Sequence, residues 1–173
     1  KLIRYYKGAN GIKTGSTSKA LYCIAASAKR NNLQLISVIM AAPDSKTRFA
    51  EASKLLNYGF ANYQTLMVKR KGESEGEVDV VKGLKSKVSA VYPENVDILV
   101  SKGEEKNVKS EVKLYDKVAA PIKEGQKVGE VIFKLGELEI SKADIVAGET
   151  VPKASMGKLF SKMLINWWKM NRM

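Results

Sequence analysis

Histidine is absent from the 173 residues, and cysteine occurs once, at Cys23. No disulfide can close within the chain. Neither a histidine-dependent triad nor a His/Cys metal site can be assembled. Cys23 stands in an apolar run and reads as a small core residue. No apolar run approaches the ~20 residues that a spanning helix needs. A charged-then-apolar leader is also missing, and the first residue is not methionine. Lys1-Leu2-Ile3-Arg4-Tyr5-Tyr6 reads as the middle of a fold, so a fragment or processed form is expected. Arginine is scarce, 5 residues against 25 lysines. Base-reading proteins lean on arginine for bidentate contacts, and no nucleic-acid module is recognisable, so that class is disfavoured.

What is present is positive charge and enough apolar content for a core. The net charge is +12 and hydrophobic residues make up 45%. Such a charge suits an anionic lipid surface or an acidic wall polymer. The charge is spread along most of the chain, so a lysine-rich solvated surface is the plainer reading.

Two strand-like runs, Ala20 to Lys29 and Leu33 to Ala42, are separated by Arg30-Asn31-Asn32, a hairpin signal. Leu21, Cys23 and Ala25 alternate with Tyr22, Ile24 and Ala26. In the second run Leu33, Leu35 and Ile39 alternate with Ile36, Val38 and Met40. With both faces apolar, the strands are expected to be central and covered on both sides. Pro43-Asp44-Ser45 stops the second strand and supplies a helix N-cap, Asp44 or Ser45. Phe49, Ala52, Leu56 and Phe60 then recur at helical spacing, joined by Leu55, and Gly59 is expected to end the helix in a left-handed conformation. This helix covers one face. Nothing in the first 64 residues covers the other well.

From about Thr65 the character changes. Short alternating runs appear at Leu66–Lys69, Val78–Val81, Val88–Tyr92, Val96–Val100, Val108–Leu114, Val128–Phe133 and Leu138–Ile140, punctuated by glycines. They predict a small all-β sandwich or barrel with no catalytic constellation, a spacer or binding module. Beyond Pro152 the pattern changes again. Met156, Leu159, Phe160, Met163, Leu164 and Trp167 form a helical stripe, Trp168 adds aromatic bulk, and the charged residues are all basic. This is the pattern of a helix lying in a membrane surface. A core or oligomer helix docked on the β module is the alternative.

Near the start, Gly8-Ala9-Asn10 reads as a turn and leads into Gly11-Ile12-Lys13-Thr14-Gly15 at strand spacing. Lys-Thr-Gly is one of three signature triads of penicillin-recognising serine enzymes, beside Ser-x-x-Lys and Ser-x-Asn. The run Gly8 to Gly15 resembles the low-molecular-mass penicillin-binding proteins, the serine-type D-alanyl-D-alanine carboxypeptidases. Tyr22 to Arg30, Leu35 to Met40 and Arg48 to Phe60 share the resemblance in order and spacing. Pro121 to Gly129 resembles part of that family's C-terminal β-rich domain.

The resemblance implies an α+β piece of a penicillin-binding peptidase domain at 1–64, antiparallel strands with a covering helix. A small all-β domain at 65–150 and an amphipathic membrane-anchoring helix at 151–173 follow. It implies that Lys13, Thr14 and Gly15 line the substrate cleft and that the Ser16 backbone N–H faces the oxyanion. Arg48 is expected to contact substrate or to form a structural ion pair. Leu159, Phe160, Met163, Leu164, Trp167 and Trp168 would anchor the chain to an anionic membrane surface. The implied partners are peptidoglycan stems ending in D-Ala-D-Ala, and β-lactams, on the outer face of the cytoplasmic membrane. No cofactor or metal is implied.

Three Ser-x-x-Lys matches occur, at Ser16–Lys19, Ser110–Lys113 and Ser155–Lys158, about as many as chance gives. None has the expected context, a serine opening a buried helix well upstream of Lys-Thr-Gly. Ser-x-Asn is absent. The acylation machinery acts as a unit, so this chain by itself is expected to be inactive. A non-catalytic envelope module that positions a partner near the membrane is the second reading.

Overall fold

The computed structural model describes residues 2–158. The chain divides into two compact units. The first comprises the residues up to Leu66 together with Leu99–Lys106, and the second comprises Met67–Ile98 and the residues from Asn107 onward.

The first unit begins with a short helix, α1 (Leu2–Tyr5), at a point where the sequence signalled no element. The turn that follows spans Tyr6 to Gly8, so Ala9 and Asn10, expected within it, already belong to β1 (Ala9–Thr17). Gly8 sits at a φ of +82°, and a β-carbon there would lie 2.3 Å from the Lys29 carbonyl oxygen, so only glycine fits. The hairpin strands are β2 (Leu21–Arg30) and β3 (Leu33–Ala42). Asn31 and Asn32 connect them with φ of 45° and 66°, the left-handed pair that a two-residue hairpin requires and asparagine tolerates. The three strands form an antiparallel sheet in the order β1-β2-β3.

Helix α2 (Ser45–Asn62) covers one face of this sheet. Asp44 is its N-cap. Its Oδ1 accepts from the Thr47 backbone N–H at 2.8 Å and its Oδ2 from the Thr47 hydroxyl at 2.8 Å. The core joins Ala52 and Leu56 of α2 to Ile24, Ala26 and Ala28 of β2, with Leu2 at one end. Burying Leu56 alone contributes roughly 1.5–3 kcal/mol. Gly59 does not end the helix as expected. The helix runs on to Asn62, and the N–H of its extended C-cap, Tyr63, returns to the Gly59 carbonyl. A β-carbon on Gly59 would sit 2.5 Å from Leu35 Cδ1. Glycine here serves close helix–sheet approach, a role that sequence does not distinguish from a cap.

The N-terminal segment is fastened by Arg30. Its guanidinium lies 4.6 Å from the Tyr6 ring centroid and 4.4 Å from that of Phe60, and its Nε donates to the Lys7 carbonyl at 3.0 Å. Tyr6 in turn donates its hydroxyl to Asn57 of α2.

Expected cover on both faces of β2 and β3 is not found. Among the described residues the face opposite α2 is bare. Ile36, Val38 and Met40 are 63, 56 and 74% exposed, because no described element packs there. Cys23 points to the same side and is half-buried, not a core residue; its thiol donates to the Ala20 carbonyl.

In the second unit, β5 (Ser74–Val81), β6 (Lys87–Val91), β8 (Val108–Leu114), β9 (Lys117–Ala119), β10 (Lys127–Leu135) and β11 (Leu138–Ala147) form a six-stranded sheet. Its order is β8-β10-β11-β6-β5-β9. β4 (Tyr63–Lys69) and β7 (Val96–Ser101) form a separate two-stranded ladder along which the chain passes between the units. The alternation that predicted these strands missed β9, which is only three residues long, and stopped β11 at Ile140. Ser141 to Asp144 carry too little apolar signal, yet their backbone stays paired with β10. Val78, Val88, Tyr92, Val128, Val131, Phe133 and Ile145 are buried. The buried Tyr92 hydroxyl donates to Glu75 at 3.0 Å, and Glu75 pairs with Lys69. Burial first, then Glu75, raises the Tyr92 pKa, so the phenol stays protonated and keeps donating. Val151 to Ala154 also belong here. Ile122 and Val151 exchange backbone hydrogen bonds, and Ala154 donates to the Lys82 carbonyl.

The Asp44 cap supports a prediction with a definite sign. Hydrogen bonds from Thr47 hold the Asp44 pKa below the ordinary aspartate value. A carboxylate depressed in the folded state stabilises above its unfolded pKa, and that contribution is lost as pH falls through the folded value. Asp44→Ala should lower the thermal midpoint at neutral pH, while Asp44→Ser, an equally good cap, should leave it nearly unchanged. The deficit of Asp44→Ala should shrink in acid, as melting curves from pH 7 down to pH 2.5 would show.

Candidate functional site

Strand β1 is composed as an edge. Isoleucine 12 apart, its residues from Asn10 onward are glycine, lysine, threonine, serine or asparagine, and from Ile12 to Thr17 every residue is exposed. Only one side of β1 is paired among the described residues, with β2. The register sets Lys13 opposite Ala25 and Gly15 opposite Cys23. Lys13 and Gly15 therefore share the bare face, while Thr14, opposite Ile24, and Ser16, opposite Tyr22, lie on the α2 side.

Three properties of this edge bear on chemistry. Among the described residues, Lys13 has no ion-pair partner, so its ammonium is available to an anion. Above Gly15, the position a β-carbon would take has nothing within 4 Å. A groove of about 290 Å³ runs beside the strand, lined by Leu2, Ile12, Lys13, Thr14, Ile24 and Phe49 among others. A strand with one open side, a free cation and an open backbone together fit an extended peptide that carries a carboxylate.

Arg48 reaches this strand from the first turn of α2. Its Nη1 donates to the Gly15 carbonyl at 3.1 Å and to the Cys23 carbonyl at 3.3 Å, and Nη2 donates to Ser45 Oγ at 3.3 Å. The guanidinium thus ties the cross-strand pair Gly15–Cys23 to the helix. Tyr22 and Phe49 flank it, with ring centroids 5.4 and 5.0 Å away. Nε is buried without a partner. The ion pair expected as one alternative is not among its contacts, because the acceptors within reach are carbonyls and a hydroxyl. The link between Arg48 and the triad was not visible in sequence, since 33 residues separate it from Gly15.

The three Ser-x-x-Lys matches fall in separate places. Ser16 is on the exposed end of β1, Ser110 is in β8, and Ser155 follows the last paired residues of the second unit. The expected anchor residues Leu159, Phe160, Met163, Leu164, Trp167 and Trp168 lie outside the described residues. Among the described residues there is no group of His, Cys, Asp and Glu able to hold a metal ion, and no helix is long and apolar enough to cross a membrane.

Known proteins resemble the chain along its length. Residues 1–44 match the family model described as D-alanyl-D-alanine carboxypeptidase, and residues 63–153 match that of the penicillin-binding protein 5 C-terminal domain. The chain is 34% identical over 170 residues to the D-alanyl-D-alanine carboxypeptidase DacF of Bacillus subtilis, covering 98% of this chain and 44% of that one. It is 36% identical over 159 residues to DacA of Haemophilus influenzae, covering 90% and 40%. Penicillin binding protein 5 from Haemophilus influenzae superimposes with a TM-score of 0.76 at 34% identity, over 88% of this chain and 45% of that one. The chain thus spans less than half the length of the relatives it matches. The chain belongs to the D-alanyl-D-alanine carboxypeptidase family, carrying the part of the peptidase region with Lys13-Thr14-Gly15 and the family's β-rich C-terminal domain.

Proposed function

We propose that β1 is one wall of the substrate cleft of a serine-type D-alanyl-D-alanine carboxypeptidase acting on peptidoglycan stems. The observation that carries this reading is the exposed, half-paired Lys13-Thr14-Gly15 strand with an unpaired lysine and open space above its glycine. The peptide stem adds to β1 as a further strand. Lys13 sets positive charge beside the substrate carboxylate and the reacting groups, Thr14 lines the cleft, and Gly15 admits the stem's backbone. The Ser16 N–H donates to the oxyanion formed when the serine of the whole enzyme attacks the carbonyl of the penultimate D-Ala. Such a donor is typically worth about 2.7–4 kcal/mol in the transition state. The terminal D-Ala leaves, and water hydrolyses the acyl-enzyme, freeing the shortened stem and the serine. A β-lactam acylates the same serine.

Arg48 acts as a positioning residue. It fixes the carbonyls at Gly15 and Cys23, and through them the direction in which the Ser16 N–H points. The second unit is a non-catalytic module of the envelope protein. The tail, with Leu159, Phe160, Met163, Leu164, Trp167 and Trp168, lies in the outer face of the cytoplasmic membrane.

Fluorescent penicillin is the direct test. This chain alone should take no covalent label, because no serine in it has a base in the right context. Labelling of any serine here would overturn that part of the reading. In a whole carboxypeptidase carrying this sequence, Lys13→Ala should slow labelling on the order of 100-fold or more. That is the scale on which single transition-state donors act, and an unchanged rate would remove the β1 reading.

Arg48→Ala in the same whole enzyme should lower acylation and speed hydrogen exchange of the β1–β2 amides around Gly15 and Cys23. Arg48→Lys, which offers no planar fork, should restore little of either. Normal exchange with lost activity would mean that Arg48 meets substrate instead.

For the tail, a chain ending at Lys158 keeps the Val151–Ala154 contacts. It should lose co-sedimentation with vesicles containing phosphatidylglycerol. Undiminished binding would refute the anchor.

A further inference from the structure

The second unit carries two exposed leucine tips, and they differ in charge. Leu138, 66% exposed, opens β11 at the β10–β11 turn, between Glu137 and Glu139. Leu84, 40% exposed, sits in the β5–β6 turn between Lys82 and Lys85, and Val81 at the end of β5 is 41% exposed. The tips stand at opposite ends of the six-stranded sheet. β11 runs from Leu138 to Ala147, which pairs with Ala90 of β6, and the turn with Leu84 lies beyond the end of β6 further from Leu138.

The basic tip is also where the C-terminal segment leaves the sheet. Gly83 and Lys153 form an antiparallel bridge. The Leu84 N–H donates to the Pro152 carbonyl at 2.9 Å, and the Ala154 N–H donates to the Lys82 carbonyl at 2.8 Å. Residues 155 onward therefore depart beside Lys82, and Met156 there is 83% exposed. Between Val81 and Ser86, and between Glu149 and Lys158, the charges are Lys82, Lys85, Lys153 and Lys158 against Glu149, which pairs with Lys85. Lys123 and Glu124, on the loop that donates to Thr150, offset each other. Among the described residues, Lys82 and Lys153 have no ion-pair partner. Apolar side chains beside unneutralised lysines suit an anionic bilayer surface, where binding grows with buried apolar area and with attraction to acidic lipid. A soluble polyanion would engage the lysines and leave Leu84 and Val81 in water.

We propose that the β5–β6 tip is a second membrane contact of this chain. Leu84 and Val81 enter the headgroup layer of an anionic bilayer, and Lys82 and Lys153 meet lipid phosphates. The second unit then stands with this end on the membrane and the Leu138 tip away from it. The proposal rests on the membrane reading of the tail and goes beyond it. The tail supplies most of the affinity, and the tip sets an orientation that a tether alone would leave free.

The test uses the full chain with Cys23→Ser, carrying a polarity-sensitive dye on Leu84→Cys or, separately, on Leu138→Cys. Vesicle co-sedimentation and dye emission are read separately. With vesicles containing phosphatidylglycerol, the dye at position 84 should shift to the blue and be quenched by brominated lipid, and the dye at position 138 should do neither. Lys82→Gln and Lys153→Gln should each lower partitioning about fivefold. Both side chains are exposed, so both variants should melt with the wild-type chain. If the wild-type chain binds while the dye at position 84 stays in water, or if both glutamine variants bind as the wild type does, the tip proposal falls and the tail reading stands. If the wild-type chain does not bind, the tail reading falls and takes the tip with it. Blue emission without vesicles, lost when the chain ends at Lys158, would mean that the tail covers the tip and would overturn the proposal. So would an equal shift with soluble polyphosphate.

Discussion

The close seating of α2 on β2 and β3 is the contact on which the first unit depends. It is possible because the facing residues are small. Ala26 and Ala28 of the sheet meet Ala52 of the helix, and Gly59 lets Leu35 approach where any β-carbon would collide. Near contact of this kind excludes water from Ile24 and Leu56 and fixes the helix against the strands. Everything of functional interest in the unit follows from which face the helix occupies. It takes one face of the sheet and leaves the other, with Lys13 and Gly15 on it, open.

The same seating determines where Arg48 can reach. The residue lies in the first turn of α2, just beyond the Asp44 cap, and the helix delivers its guanidinium to the carbonyls of Gly15 and Cys23. Cap, arginine and triad strand are therefore linked mechanically. A fork with several donors suits this task, since one group satisfies two carbonyls on two strands and a hydroxyl on the helix. Arg30 plays the comparable part at the far end, where its guanidinium lies over the rings of both Tyr6 and Phe60 and the N-terminal segment is held to α2.

The two edges of the small sheet differ in composition, and so in what they suit. From Asn10 onward β1 is polar or glycine apart from Ile12, and it is exposed from Ile12 to Thr17. β3 is apolar except for Gln34 and Ser37 and carries neither charge nor proline. In the second unit every long strand has a partner, and some of the charges on its surface pair with one another, as in the Lys127–Glu130–Lys142 and Lys134–Glu111–Lys113 groups. Exposed pairs of this kind contribute little stability. They do neutralise the strand surfaces locally, so the lysine-rich composition does not by itself mark a polyanion site there.

Local patterns in the sequence were enough for much of this protein. Alternation marked the hairpin strands and most strands of the second unit, the Asp44 cap and the 3.6-residue stripe marked α2, and Lys13-Thr14-Gly15 marked the family. These features depend on neighbours a few residues apart, and such neighbours are legible in a string. What only the tertiary structure decided depends on residues far apart. Gly59 looked like a helix stop and proved to be a contact for Leu35, because the chain brings β3 against α2. Arg48 was open in sequence between substrate contact and a structural ion pair, and in the fold its guanidinium donates to two carbonyls, one on the triad strand and one on its neighbour. β11 continued through Ser141 to Asp144 because β10 supplied the hydrogen bonds that its side chains did not advertise. The apolar character of β3 was plain in sequence. That its outer face and one edge stand uncovered, in the same cross-strand row as Lys13, came only from the register of the folded sheet.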